Sequence, residues 1–191
     1  MGYDFFTFLY RLRYIERWSL MRNTHKESVA VHSFDVAVIS HMLCTIGNEI
    51  FHKEIPTEKV VALALFHDAT EVFVGDVAHP VKHSNEVLLR HFREIERTAA
   101  ERLMQMLPEQ LKKTYRPLVQ EHDPEIYRWV KASDLIAAYL KCKSEISAGN
   151  KEFSVAEKQL AASLKKLDMP EVDYFLKTMA SGFDKTIDEL T

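Results

Sequence analysis

Pro56-Thr57-Glu58-Lys59-Val60-Val61-Ala62-Leu63-Ala64-Leu65-Phe66-His67-Asp68-Ala69-Thr70-Glu71-Val72-Phe73 is the stretch on which the reading of the fold turns. Proline suits the first turn of a helix, and Glu58 complements the positive end of its dipole. The unbroken apolar run from Val60 to Phe66 predicts a helix reaching about Phe73, apolar nearly all round and therefore central and buried. Inside it stand His67 and Asp68, polar groups whose burial is costly without partners. Glu71 follows four residues after His67 and three after Asp68, so the three can crowd toward one side. Alone, the dipeptide fits a satisfied core histidine as well as a functional site.

Outward from this segment the helical period continues. Phe5, Phe8, Leu9, Leu12 and Ile15 are spaced as one helical face, and Glu27 to Glu49 places Val31, Phe34, Val38, Met42 and Ile46 at helical intervals. Helices are predicted over Glu86–Leu107, from Pro108 to about His122, over Asp123–Ala148, over Glu152–Leu167 and over Pro170–Leu190. Gly149-Asn150 ends the third of these with residues that tolerate the left-handed conformation. Gly75 to Asn85 is the one stretch with loop chemistry. With no repeat or linker, the expectation is one all-α domain spanning residues 1–191.

Apolar residues make up 47% of the 191 and charged residues 28%, the balance of a globular chain. The net charge of −3, without a Lys/Arg block, argues against a nucleic-acid polymer as partner. A small anion stays within reach of one Arg, one Lys and a metal. No apolar run approaches the roughly 20 residues of a membrane span, so no membrane is expected. Met1-Gly2-Tyr3-Asp4 has no leader pattern, and Phe6 stands where a myristoylation signal wants Ser or Thr. A cytoplasmic location follows, with Cys44 and Cys142 as reduced core thiols.

Two further residues give the His-Asp pair its weight. His32 is flanked by Val29, Val31, Phe34 and Val36, and Asp134 shares a face with Val130, Ala137 and Ala138 on an Ala-rich segment. An aspartate on such a face is seldom there for packing. His32, His67, Asp68 and Asp134 make a mixed nitrogen and oxygen set from three helices. It suits one divalent ion of Mn, Fe, Co or Zn better than Mg or Ca.

The order His32, His67-Asp68, Asp134 resembles the H…HD…D signature of the HD-domain metal phosphohydrolases. The surrounding runs are similar to the bacterial 5′-deoxynucleotidases of the YfbR type. They are Arg17-Trp18-Ser19-Leu20-Met21-Arg22-Asn23, Glu27 to Ser33, Phe66 to Val72, Gly75 to Lys82, Asp134 to Cys142 and Ala148 to Phe153. The resemblance covers essentially the whole chain and implies an HD-domain helical bundle acting on a deoxynucleoside 5′-monophosphate, as a homodimer.

It further implies that His32, His67, Asp68 and Asp134 ligate the metal, and that Glu71 and Asp76 are the functional acids. Asp76, Val77, Ala78 and His79 match the substrate-binding loop, and His32, Asp68 and Asp134 count among the substrate-binding residues as well. Arg17 matches the residue that orients the phosphate, Trp18 the one packed near the sugar, and Lys82 an extra phosphate contact. Glu121 falls where the family carries a glutamate near the site. Two positions depart from the pattern. Val31 stands where an acid precedes the first histidine, and the loop reads Val77-Ala78-His79-Pro80 in place of a Pro-Thr-Pro stretch.

These residue types answer the difficulty of the reaction. A metal neutralises phosphate charge and acidifies a bound water, and Arg17 can grip phosphate oxygens as a fork. Glu71 or Asp76 can move the proton; which does so does not follow from sequence. In isolation, Arg17-Trp18 fits a surface cation beside an aromatic, and Asp76 a turn residue. The alternatives are an HD-domain hydrolase of nucleoside triphosphates or cyclic nucleotides, and a regulatory module with a degenerate site.

Overall fold

The computed structural model describes residues 3–82, 85–120, 122–183 and 185–190, with the side chains of His79 and Pro80 outside that description. Among the described residues, helices follow one another without a strand. They are α1 (Phe5–Tyr10), α2 (Val29–Glu49), α3 (Thr57–Phe66), α4 (Glu71–Val74), α5 (His79–Lys82) and α6 (Glu86–Gln105). After these come α7 (Glu109–Val119), α8 (Pro124–Ser147), α9 (Ser154–Lys166), α10 (Pro170–Thr178) and α11 (Ile187–Leu190). Side-chain caps start the three longest. Ser28 accepts from the amide of Val31, Asn85 from Leu88 and Asp123 from Glu125.

Two apolar clusters fill the interior. Val36, Leu43, Val60, Leu63, Ala64, Trp129, Ile136 and Val172 join α2, α3, α8 and α10. Phe5, Ala69, Ala100, Leu103, Met104 and Val119 join α1, α6 and α7 to the segment after α3. Leu63 and Ala64 belong to the first cluster and Ala69 to the second, so His67 and Asp68 sit at the seam.

That seam breaks the helix expected to reach Phe73. The α-helix ends at Phe66, and the amides of Ala69 and Glu71 return to Phe66 and Asp68 at 3.0 Å each, a tightened i to i+3 turn. Nδ1 of His67 takes the carbonyl of Ala64 at 2.7 Å, the acceptor that the next helical amide would otherwise use. Nor is α3 buried all round: Leu65 is 45% exposed, and α2 and α8 take the centre.

The period along α2 marks a face, but one that Val31, Phe34, Val38 and Met42 present to solvent. Its buried side carries Ser33, Ser40 and Gly47 among Val36, Leu43 and Ile46, small enough to admit the neighbouring helices closely. By length and composition α2 could cross a membrane, yet 56% of its most apolar window is buried inside the protein, the position of a core helix. The stretch Pro170–Leu190 is split. The amides of Met179 and Ala180 both return to Phe175, and Ser181-Gly182, poor helix formers, follow. Gly149 adopts φ +87° after α8, and Cys44 and Cys142 are buried free thiols.

Candidate active site

Three segments converge. Helix α2 delivers His32, the turn after α3 delivers His67 and Asp68, and α8 delivers Asp134. Ligand atoms of His32, His67 and Asp68 lie within 4.8 Å of one another. Nε2 of His32 is 3.0 Å from Asp134 Oδ1 and 3.7 Å from Asp68 Oδ2, and Nε2 of His67 is 3.1 Å from Asp68 Oδ2. Both Nε2 atoms are buried, yet neither makes a hydrogen bond of good geometry. Nitrogen and oxygen donors thus crowd together without a proton aligned between them, which is the arrangement a shared cation resolves.

The bond from His67 Nδ1 to a backbone carbonyl requires the proton on that nitrogen and leaves the Nε2 lone pair facing the cluster. For His32 the outer nitrogen faces Glu27, whose Oε1 lies 3.3 Å from Nδ1. Glu27 is the residue that sequence reasoning missed. Val31 removes the acid just ahead of His32, and Glu27, just before the Ser28 cap of α2, supplies a carboxylate instead. Its signal was its place beside the Ser28 cap, where the chain must turn back over the helix start.

Arg17 reaches the same carboxylates from a strap between Ile15 and Val29. An isolated bridge between Glu16 and Ser28 closes the neck of the strap. Arg17 Nε is 3.1 Å from Glu27 Oε1, and its Nη1 is 3.6 Å from Asp68 and 3.9 Å from Asp76. Trp18 follows at φ +55°, a costly conformation for a tryptophan, with its ring 5.4 Å from that of Phe153 and its indole nitrogen buried without a partner.

Charge is shared unevenly. Burial disfavours charge on His32, but Asp134 and Glu27 outweigh it and carry the imidazole up to about 9. Asp134 is half-buried, and its contacts with His32 outweigh that burial and hold it well below the ordinary carboxylate range. Glu71 goes the other way. Burial, then the neighbouring Asp68 and Asp76, push it up to about 9, and its Oε2 is buried without a partner. Asp76 is also raised by burial, opposed by Arg17 and a hydrogen bond from the backbone of Trp18.

Of the other residues named from sequence, Val77 and Ala78 are half-buried beyond α4. Lys82 is turned toward α6, where it pairs with Glu96. The side chain of His79, and Glu121, lie outside the described residues. A residue not singled out, Tyr127, stands two turns before Asp134 on α8. Burial, Asp134 and Asp68 push its phenol up to about 12.

The family model of YfbR-like 5′-deoxynucleotidases matches residues 4–183. A 5′-deoxynucleotidase of Vibrio vulnificus is 42% identical over 98% of this chain and 97% of its own length. That of Escherichia coli strain Crooks is 40% identical over 98% of this chain and 95% of its own. A crystal structure of an HD-domain phosphohydrolase from Listeria innocua superposes with a TM-score of 0.84 at 25% identity, covering 98% of this chain and 92% of that one. Helix order, convergent donors and a match over nearly the full length agree, and the chain belongs to the YfbR-like 5′-deoxynucleotidase family of HD-domain phosphohydrolases.

Proposed function

We propose that the chain hydrolyses deoxyribonucleoside 5′-monophosphates to the deoxynucleoside and phosphate, on one divalent ion held by His32, His67, Asp68 and Asp134. The observation that carries this reading is the pair of buried, unbonded imidazole nitrogens beside two carboxylates, with a guanidinium 3.6 Å from Asp68. The donor set favours Mn, Fe, Co or Zn. Such an ion neutralises phosphate charge and lowers the pKa of a bound water toward ~7.

The chain's own residues do the rest. Arg17, held by Glu27 at Nε, offers Nη1 to a phosphate oxygen, with Asp68 and Asp76 fixing its aim. Glu71, kept protonated at neutral pH by burial and by Asp68 and Asp76, gives its proton to the departing 5′-oxygen. Asp76, hydrogen-bonded by the strap backbone at Trp18, ties the loop Asp76–His79 to the phosphate residue. Trp18 stands as a rigid wall against C2′, where a ribose hydroxyl would meet apolar surface. Lys82 acts one layer out, through Glu96. Residues 1–191 form one catalytic unit, in keeping with a family match over residues 4–183. It works on the cytoplasmic nucleotide pool, where Cys44 and Cys142 stay reduced.

Two copies pair through α2. Val31, Phe34, Val38 and Met42, exposed along one side of α2, form the apolar stripe through which an isologous pairing would run. A groove of about 550 Å³ beside this stripe, lined by His41, Thr45, Val61 and Leu65, gives the partner's side chains room.

The test is phosphate release from deoxy- and ribonucleoside mono- and triphosphates with added Mn, Co or Zn. Release from deoxynucleoside monophosphates, abolished by chelator, is expected. Cleavage of triphosphates with monophosphates untouched would overturn the substrate.

A further inference from the structure

The far end of α8 carries a buried charge cluster that the chemistry does not touch. Glu145 is 1% exposed, yet its carboxylate is fully engaged. It accepts from the amide and hydroxyl of Thr24 at 2.9 and 2.8 Å, from the amide of His25 at 3.3 Å, and from Asn150 Nδ2 at 2.9 Å. Lys141, one turn back, closes on the same carboxylate and also donates to the carbonyl of His25 at 2.5 Å. Asn150 Nδ2 donates as well to the carbonyl of Arg22 at 2.6 Å. Every strap atom in this cluster is a backbone group or the Thr24 hydroxyl.

The clamped residues are the tip of the strap that carries Arg17 and Trp18. Asn23, just before Thr24, donates to the carbonyls of Trp18 and Met21 at 3.1 and 2.9 Å, so the tip and the substrate-facing corner form one hydrogen-bonded piece. Trp18 holds a positive φ there, a conformation that relaxes unless its surroundings enforce it. Helix α8 also carries Asp134, about three turns from Glu145, so one rigid element sets both a metal-side carboxylate and the strap tip.

We infer that Glu145, with Lys141 and Asn150, is a latch that fixes the strap so that Arg17 and Trp18 are pre-set over the site; Glu145 is a positioning residue for phosphate grip and for choice of sugar. The consequence for rate rests on the function proposed above; the latch itself does not. A loose strap leaves the metal-side donors of α2, α8 and the turn after α3 in place, but makes substrate pay the ordering entropy of the strap. The loss therefore falls on KM and on discrimination by the Trp18 wall.

The experiment compares wild type with Glu145→Gln and Thr24→Ala. The second removes one donor from the strap side and leaves the buried end of α8 intact. Trypsin cleavage at Arg22 and Lys26 reads the strap directly, and should quicken tenfold or more in Glu145→Gln and less in Thr24→Ala. Bound metal per chain should be unchanged. KM for a deoxynucleoside monophosphate should rise at least tenfold with a smaller change in kcat, and the deoxy-to-ribo preference should shrink in the same order. Unchanged strap cleavage in both variants overturns the latch. Faster cleavage with unaltered KM and sugar preference overturns its role in positioning. Should the wild type release no phosphate from any nucleotide, the proposed function fails while the cleavage result still decides the latch.

Discussion

Nδ1 of His67 lies 2.7 Å from the carbonyl oxygen of Ala64, one turn back along α3, and this contact decides which nitrogen of the ring faces the site. An asparagine at position 67 can place its amide nitrogen near the Nδ1 position, whereas a glutamine reaches toward Nε2. His67→Asn should therefore keep the turn and cost no more than about 1 kcal/mol of stability through this bond. It should bind metal poorly and lose at least about 100-fold in turnover. Thermal unfolding and metal content measured on the same preparations check both halves. Full metal occupancy in His67→Asn would remove Nε2 from the ligand set.

Glu27 stands between Arg17 and His32, at 3.1 and 3.3 Å, and so aims a guanidinium and an imidazole at once. Glu27→Gln keeps the shape and removes the charge. Metal affinity or kcat/KM should drop roughly 10- to 100-fold, the usual cost of losing a group that orients a ligand. Isothermal titration with Zn or Mn against steady-state kinetics separates the two effects. No change in either would reduce Glu27 to packing.

Glu71 supplies a pH signature. Its carboxyl is pushed up to about 9 by burial and by Asp68 and Asp76, so the proton is present at neutral pH and leaves as pH rises. A proton donor of this kind gives a rate that falls on the alkaline side, and a bound cation moves that fall below pH 9. Glu71→Gln should cost on the order of 10²–10⁴-fold and abolish the alkaline limb. The stability sign agrees. A carboxyl with a raised folded pKa binds its proton more tightly in the native state, so the metal-free protein should lose stability as pH climbs from about 4.3 toward 9. A persisting alkaline limb in the variant would assign it to another group.

Helix α2 carries the assembly prediction. Val38 is 52% exposed at the middle of the stripe formed by Val31, Phe34 and Met42. Val38→Glu should convert a dimer to a folded monomer, seen as a halved mass by light scattering. A wild type already monomeric at high micromolar concentration would contradict the pairing.

The helical period and the residue types made most of this molecule legible, in particular the long helices capped at Asn85 and Asp123 and the four residues His32, His67, Asp68 and Asp134 that the fold brings together. What periodicity could not tell is which way a face points when both sides are apolar. On α2 the side with Ser33, Ser40 and Gly47 goes inward because close helix approach needs small residues, and the stripe of larger ones is left outside. The helix through Phe73 was misread because local propensity carries no record of two separate cores, one taking Leu63 and the other Ala69. Glu27 and Glu145 were invisible for a similar reason. Their partners, Arg17, His32 and Thr24, are brought to them by the strap's path and by no local pattern.

The most direct measurement is bound metal and phosphate release, taken together, for wild type, Asp134→Ala and Glu71→Ala. The account predicts about one equivalent of divalent metal in the wild type and in Glu71→Ala, with turnover only in the former. Asp134→Ala should lose both. Metal and turnover retained without Asp134 would contradict the claim that side chains from three separate segments hold a single catalytic ion.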